Sequence, residues 1–580
     1  MSAADWLVIV VVLSGIVLYG LYKSRTSKNL EGYFLSNRNL PWYVVLLSIM
    51  GTQASAITFL SGPGQAYTDG MRFLQYYFGL PLAMVVICIT FVPLFNRLKV
   101  FTAYEFLEKR FDTKTRTLTS GLFLLQRGLS TGISIYMPSI IVSSLFGWNV
   151  SWVNLLSGGA LIIYTVTGGA RAVAHTQKIQ LLLIFSAMAA AGYVVIQSLP
   201  QNVSITDALA ISGKAGRTNI ITTGFEKGGF DWNDKYNLFS GLIGGFFLSL
   251  SYFGTDHSQV GRYLTAQNNR ESKLGLLMNG LVKIPMQFFI LLLGVLLFAY
   301  YQFNASPLTF NEGLLNDVQS SAYKDSLQNL QQRYTAIDKE KKQANSIYLE
   351  AKHTFEKRAI GPIEERLRQL SKSEDSCRKA FARLAKTSVN KKDNGSDYVF
   401  LTFIKDVLPA GLRGLLLSII FLASWSSIAA ALNSLSASTV VDFHERFKKA
   451  PHPENAYRTA KLYTLAWGVF SIAVAEFAHN LGQSLIETVN VLGSLFYGVI
   501  LGIFLVAFYL KGVKATAVFT AAVVVELFVV LLFFNESISF LKGLPDISFL
   551  WLNAIGAIGV VAVALLLQSL LPHKETLMKA

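Results

Sequence analysis

Charged residues are scarce in this chain. Only 15% of its 580 positions are Asp, Glu, Lys or Arg and 52% are hydrophobic, whereas soluble domains carry roughly 25% charge. That balance excludes a soluble globular protein. Two cysteines, Cys88 in an apolar run and Cys377 in a polar one, make neither a disulfide framework nor a thiolate metal set. The seven histidines form no His/Glu metal pattern. No Walker A loop is present, which removes ATP hydrolysis as an energy source. A nucleophile-elbow pattern, Gly128-Leu-Ser-Thr-Gly132, lies inside an apolar stretch rather than between a strand and a helix, and carries no chemistry there. These absences argue against an enzyme. The excess of basic residues, 51 against 35 acidic, falls mostly in short loops between apolar stretches. It reports topology, not nucleic-acid binding.

What is abundant is hydrocarbon at membrane length. Thirteen apolar stretches are expected to cross a bilayer, at about 5–22, 42–62, 73–96, 117–146, 151–167, 177–198, 237–260, 273–302, 409–439, 457–478, 484–510, 514–534 and 548–571. The first, Trp6 to Tyr22, has no basic n-region and no small-residue cleavage site, so it is expected to be a retained span and not a signal peptide. Every odd-numbered exit is basic: Lys23, Arg25, Lys28 and Arg38 after the first, Arg446, Lys448, Lys449 and Arg458 after the ninth, Lys574 and Lys579 after the last. The positive-inside rule then predicts an external N-terminus and a cytoplasmic C-terminus, in a cell (inner) membrane. Between spans eight and nine, residues 304–398 are rich in Lys, Glu, Gln and Ala, with Leu327, Leu330, Tyr334 and Ile337 at helical spacing. This insertion is expected to be a solvated, extracytoplasmic helical hairpin turning near Gly361-Pro362, and a candidate partner-docking element. The chain thus divides into 1–303 (spans one to eight), 304–398 and 399–580 (spans nine to thirteen).

Two spans contain polar, glycine-bearing interruptions: Gly51-Thr-Gln-Ala-Ser55 in the second and Gly254-Thr-Asp-His-Ser258 in the seventh. Irregular backbone at membrane depth survives only where it lines a cavity or is buried in protein. A matched pair of interrupted helices, five spans apart, predicts an inverted-repeat transporter with its site at the midplane. Unwound backbone frees carbonyls for a cation, and hydroxyls from a neighbouring helix must complete the oxygen set. In the ninth span Ala423, Ser426 and Ser427 share one helical face, and the two serines can supply those hydroxyls. Asp256, an intramembrane acid, is a functional residue by default. It is suited to bind a polyol, a nucleoside or a cationic solute, or to pair with Arg262 as a gate. His257 beside it is a candidate proton site.

Six stretches resemble the sodium:solute symporter family, which includes the glucose, iodide, multivitamin and sialic acid symporters: Tyr33-Phe-Leu-Ser-Asn-Arg-Asn-Leu-Pro-Trp42, Ser55-Ala-Ile-Thr-Phe59, Thr102-Ala-Tyr-Glu-Phe-Leu-Glu-Lys-Arg-Phe111, Tyr164-Thr-Val-Thr-Gly-Gly169, Gln259-Val-Gly-Arg-Tyr263 and Ser426-Ser-Ile-Ala-Ala-Ala-Leu-Asn-Ser434. The resemblance covers nearly everything outside 304–398. It implies an all-α polytopic membrane protein of the LeuT type, two inverted five-helix repeats with extra terminal helices. It also implies a Na+ site at Gly51, Ala54 and Ala423 (carbonyls) and Ser426 and Ser427 (hydroxyls). Solute contacts carried over by position are Gln53, Ser55, Thr58, Phe73 and Tyr77, with Asp256 and His257 opposite. A second sodium site found in some members falls here on Ala429, Ala430 and Gln177, which lack its hydroxyls and its acid, so one Na+ per cycle is expected. The arginine that grips carboxylate in the sialic acid symporters falls on Ser130, with Arg127 about a turn away. The expected activity is therefore Na+-coupled import of a small polar organic solute (sugar, polyol, nucleoside or small organic ion) across the lipid bilayer. Proton coupling through Asp256 or His257 on the same fold, and a non-transporting solute sensor, are the alternatives.

Overall fold

The computed structural model describes residues 1–24, 30–226, 228–354, 357–393, 395–447, 453–478, 484–534 and 546–570. Arg25, Lys28, Lys448, Lys449, Lys574 and Lys579 of the basic exits lie outside them. Among the described residues the architecture is helical, apart from a two-stranded pairing of Phe225–Glu226 with Gly229–Phe230. Ten helical stretches there are long and apolar enough to cross a membrane. The remaining expected spans are helical too, but shorter or more polar: Trp42–Gln53, Ser240–Gly254, and the 34-residue helix Thr113–Phe146.

Both interruptions are real breaks. Trp42–Gln53 ends at Ala54 (φ −85°, ψ 84°), and Ala56–Asp69 starts after Ser55 in an extended conformation. The seventh span breaks at Thr255 and Asp256, between Gly245–Gly254 and His257–Tyr263. Asp256 caps the second half by accepting from the Ser258 N–H at 2.7 Å, so the acid in the motif is also the start signal of the helix that follows it. The two broken helices meet at one end of the bundle. The Leu40 N–H donates to Thr265 O (3.0 Å) and the Gln267 N–H returns to Leu40 O (3.2 Å).

Spans five and six are two helices, Val150–Ala170 and Ala172–Gln197, that meet at a kink at Gly169 (φ 61°, ψ −177°). Only glycine adopts that backbone readily, and a Cβ there would stand 2.8 Å from Tyr33 Cδ2. Gly64 is needed for a different reason. The backbone of Ala56–Asp69 packs onto the turn Gly395–Tyr398, so that a Cβ on Gly64 would stand 1.8 Å from Ser396 O. Gly64→Ala is therefore expected to displace this helix from the turn, seen as loss of monodisperse protein in size-exclusion chromatography, whereas Gly361→Ala, with open space around its Cβ position, leaves the profile unchanged.

The insertion consists of two long helices, Lys324–His353 and Lys357–Val389, preceded by Glu312–Gln319. Gly361 and Pro362 lie inside the second long helix, not at a turn between them. Pro362 is the sixth residue of that helix, past the first turn, so its missing N–H costs the helix one intrahelical hydrogen bond. The hairpin has its own small core of Leu327, Tyr334, Cys377 and Phe381. Glu374 accepts from Lys341, Arg378 and Tyr334 at its edge. Burial opposes ionisation, but the Lys341 and Arg378 charges hold its carboxyl down to about 2. The hairpin rests on the bundle through Lys352 and His353, both on Asp207 (2.7 and 3.2 Å).

Candidate functional site

The first break determines the chemistry around Ser426. In an unbroken helix the Gly51 carbonyl would accept the N–H four residues on. Here the Ser55 N–H turns to Gln53 O (3.2 Å), and Gly51 O takes the Ser426 hydroxyl instead, at 3.2 Å. The same hydroxyl lies 3.1 Å from Ala423 O. Three of the five oxygens nominated from sequence are thus within one hydroxyl's reach. Oxygens held 2.3–2.6 Å from a hard cation and at right angles stand about 3.3–3.7 Å apart, so this cluster fits a Na+-sized ion after a small expansion. Ala54 is the buried residue at the break itself. Ser427 projects from the adjacent position on Leu412–Ser438, bonds Ser424 O at 3.0 Å, and faces the cavity beside the cluster.

Gln177 closes the other side. Its amide accepts from Ser48 Oγ (2.8 Å) and donates to Thr52 Oγ1 (3.3 Å) and Ser426 O (3.5 Å). A Cβ on Gly51 would stand 2.9 Å from Gln177 Cγ. Gln177 thus braces the first broken helix as a neutral side chain. Ala429 and Ala430 pack with Tyr164 and Val173 in an apolar cluster that offers no hydroxyl from the ninth span.

A cavity of about 120 Å³ lies between the two broken helices. Gln53, Ser55, Thr58 and Tyr77 line it, joined by Tyr76 from the third span and by Gln126, Arg127 and Ser130 from the fourth. Tyr252, Asn490 and Tyr497 complete the polar wall. Phe73 is not on this wall. It is fully buried, stacked on Tyr76 (5.3 Å) and edge-on to Tyr236 (5.1 Å). Asp256 and His257 are buried behind it. Asp256 forms an ion pair with Arg127 and accepts the Tyr497 hydroxyl at 2.7 Å. The partner of this acid is thus Arg127 and not Arg262.

Carbonyl and hydroxyl oxygens gathered at a helix break beside a polar cavity are the arrangement expected of a cation-coupled transporter. The profile of the sodium:solute symporter family matches residues 33–329 and 377–524. The chain belongs to that family. Relatives include the sodium/sialic acid symporter NanT of Aliivibrio fischeri, 24% identical over 97% of this chain and 92% of that one. The sodium/sialic acid symporter SiaT of Proteus mirabilis is 25% identical over 95% and 91%, and the human sodium/iodide cotransporter is 30% identical over 46% and 40%. A solved structure of a Na+-coupled sialic acid symporter in a substrate-bound outward-open state has the same LeuT-type fold, with a TM-score of 0.74 at 22% identity over 98% of both chains. The chain is a multi-pass membrane transporter that couples solute import to Na+.

Within this symporter, sequence reasoning underweighted Arg127. An arginine inside the apolar run of the fourth span was itself the signal. The guanidinium meets Asp256 and Tyr497 and lies 5.4 Å from the Tyr252 ring. Tyr497 and Asn490 come from Leu485–Tyr509, whose first half carries Glu487, Thr488, Asn490 and Ser494, the polar signal that it completes the cavity.

Proposed function

We propose that this symporter moves one Na+ with one small, hydroxyl-rich neutral solute inward per cycle. The single observation behind the solute class is the neutralisation of Arg127, the charged side chain on the cavity wall, by Asp256. What remains to meet a solute is a set of hydroxyls and amides from Gln53, Ser55, Thr58, Tyr77, Gln126 and Asn490, which suits a sugar, polyol or nucleoside. Gly51, Ala54, Ala423, Ser426 and Ser427 hold the ion. Gln177 and the Ala429–Ala430 pair replace the groups a second ion would need. The N-terminus and the 304–398 hairpin face outward and the C-terminus faces the cytoplasm of a cell with this protein in its inner membrane. The cycle contains no catalytic step. A second reading, a carboxylate-bearing solute, is favoured by the position of Arg127 on the wall, where it can exchange Asp256 for a solute anion.

Proteoliposome uptake with an imposed potential separates the two readings. One Na+ at −100 mV supplies about 2.3 kcal/mol, or roughly a fifty-fold accumulation. A neutral solute carried one-to-one is expected to show that dependence and a sodium Hill coefficient of about one. Uptake that needs sodium but ignores the potential identifies a monoanion. Uptake that follows a proton gradient and ignores sodium overturns the ion assignment.

A further inference from the structure

A second cavity, of about 530 Å³, lies where the hairpin meets the transmembrane bundle. Its volume falls within the range of small-molecule sites, and its charge is unbalanced. Six basic and three acidic side chains line it, three positive charges in excess. Glu364 is committed to Lys214, and Glu374 to Lys341 and Arg378. That leaves Arg217 and Lys372 facing one acid, Asp375, and Arg368, paired at the exposed surface with Glu365 at 3.4 Å, adds a third cation to the lining. The surplus is spread over both bodies, since Arg217 belongs to the bundle and Arg368 and Lys372 to the hairpin. The Nε of Arg217 is buried without a hydrogen-bond partner. Phe298 lies 5.1 Å under its guanidinium, and Tyr67 and Tyr348 add aromatic wall.

The cavity also touches a helix that lines the solute site. Tyr67 and Thr68 line it from the last turn of Ala56–Asp69, and Ile57 and Thr58, in the first turn of the same helix, line the solute cavity. Arg217 Nη1 donates to Thr68 O, an end carbonyl of that helix, and the Met71 N–H donates to Arg217 O at 2.9 Å. We infer that this cavity binds an oxyanion, a carboxylate or phosphate group presented from the hairpin side, and that the bound anion is coupled through Ala56–Asp69 to the solute site. Arg217, Arg368 and Lys372 are the groups that hold it. Coupling between two sites is reciprocal, so the anion shifts solute affinity and the solute shifts anion affinity by the same factor.

The test is calorimetric titration of the full chain in neutral-lipid nanodiscs with citrate and with inorganic phosphate, alongside a set containing phosphatidylglycerol. Arg368→Gln/Lys372→Gln removes two charges at the exposed mouth (Arg368 is 70% exposed). Binding is expected to weaken about tenfold or more in that variant, with sodium-driven uptake in anion-free buffer unchanged. Saturable binding of citrate or phosphate in neutral lipid assigns a soluble ligand. Charge-dependent retention of phosphatidylglycerol that blocks both assigns a lipid headgroup to the same residues. Equal affinity in wild type and variant, or no saturable binding of any of the three, overturns the inference.

Discussion

Ser426→Ala is expected to leave a folded protein whose half-saturating sodium concentration for uptake rises roughly 10- to 150-fold. The hydroxyl it removes is the one that touches both Gly51 O and Ala423 O. Interactions with a charged group are worth about 1.5–3 kcal/mol, which converts to that range. The fold tolerates the change because the ninth span packs through Leu416, Ile420 and Leu432, all buried, and not through this hydroxyl. Sodium titration of uptake in proteoliposomes reads the shift directly. A curve that superimposes on wild type removes Ser426 from the ion site. Ser427→Ala, one position along and on the cavity wall, is expected to shift the same curve in the same direction.

Asp256→Asn is expected to lower stability by about 3–5 kcal/mol, the usual result of stripping one partner from a buried ion pair. The Asp256 side chain has no exposure and that of Arg127 only 12%. The loss is expected to appear as a large drop in the thermal midpoint of purified protein. Arg127→Gln/Asp256→Asn, which leaves no orphaned charge, recovers much of it. If single and double variants melt together, the pair is not what stabilises this region. Uptake by the stable double variant then asks whether Arg127 also reads the solute.

The sequence showed the breaks because glycine and polar groups inside hydrocarbon are intrinsically conspicuous. It showed the serine face because a helix of constant pitch maps spacing onto direction. Where the pitch changes, the mapping fails. Phe73 and Tyr77, four residues apart, share a face in an α-helix, but Gly70–Tyr77 is a 3-10 helix in which residues three apart eclipse. Phe73 therefore stacks on Tyr76, and Tyr76 and Tyr77 take the wall. The Arg127–Asp256 contact joins positions 129 residues apart. No local pattern encodes which intramembrane acid an intramembrane base will meet.

The close approach at Gly64 has a mechanical meaning. The hairpin-side half of the first broken helix is seated against the root of the insertion, backbone to backbone, so that the two must shift together. The other half, Trp42–Gln53, is held through side chains, with Ser48 and Thr52 on Gln177 and the Trp42 N–H on Glu271. It is also fastened at its far end to its counterpart in the seventh span through Leu40, Thr265 and Gln267. The oxygen cluster at Ser426 thus sits at the joint between a half-helix tied to the insertion and one tied to the seventh span, where a pull on either reaches it.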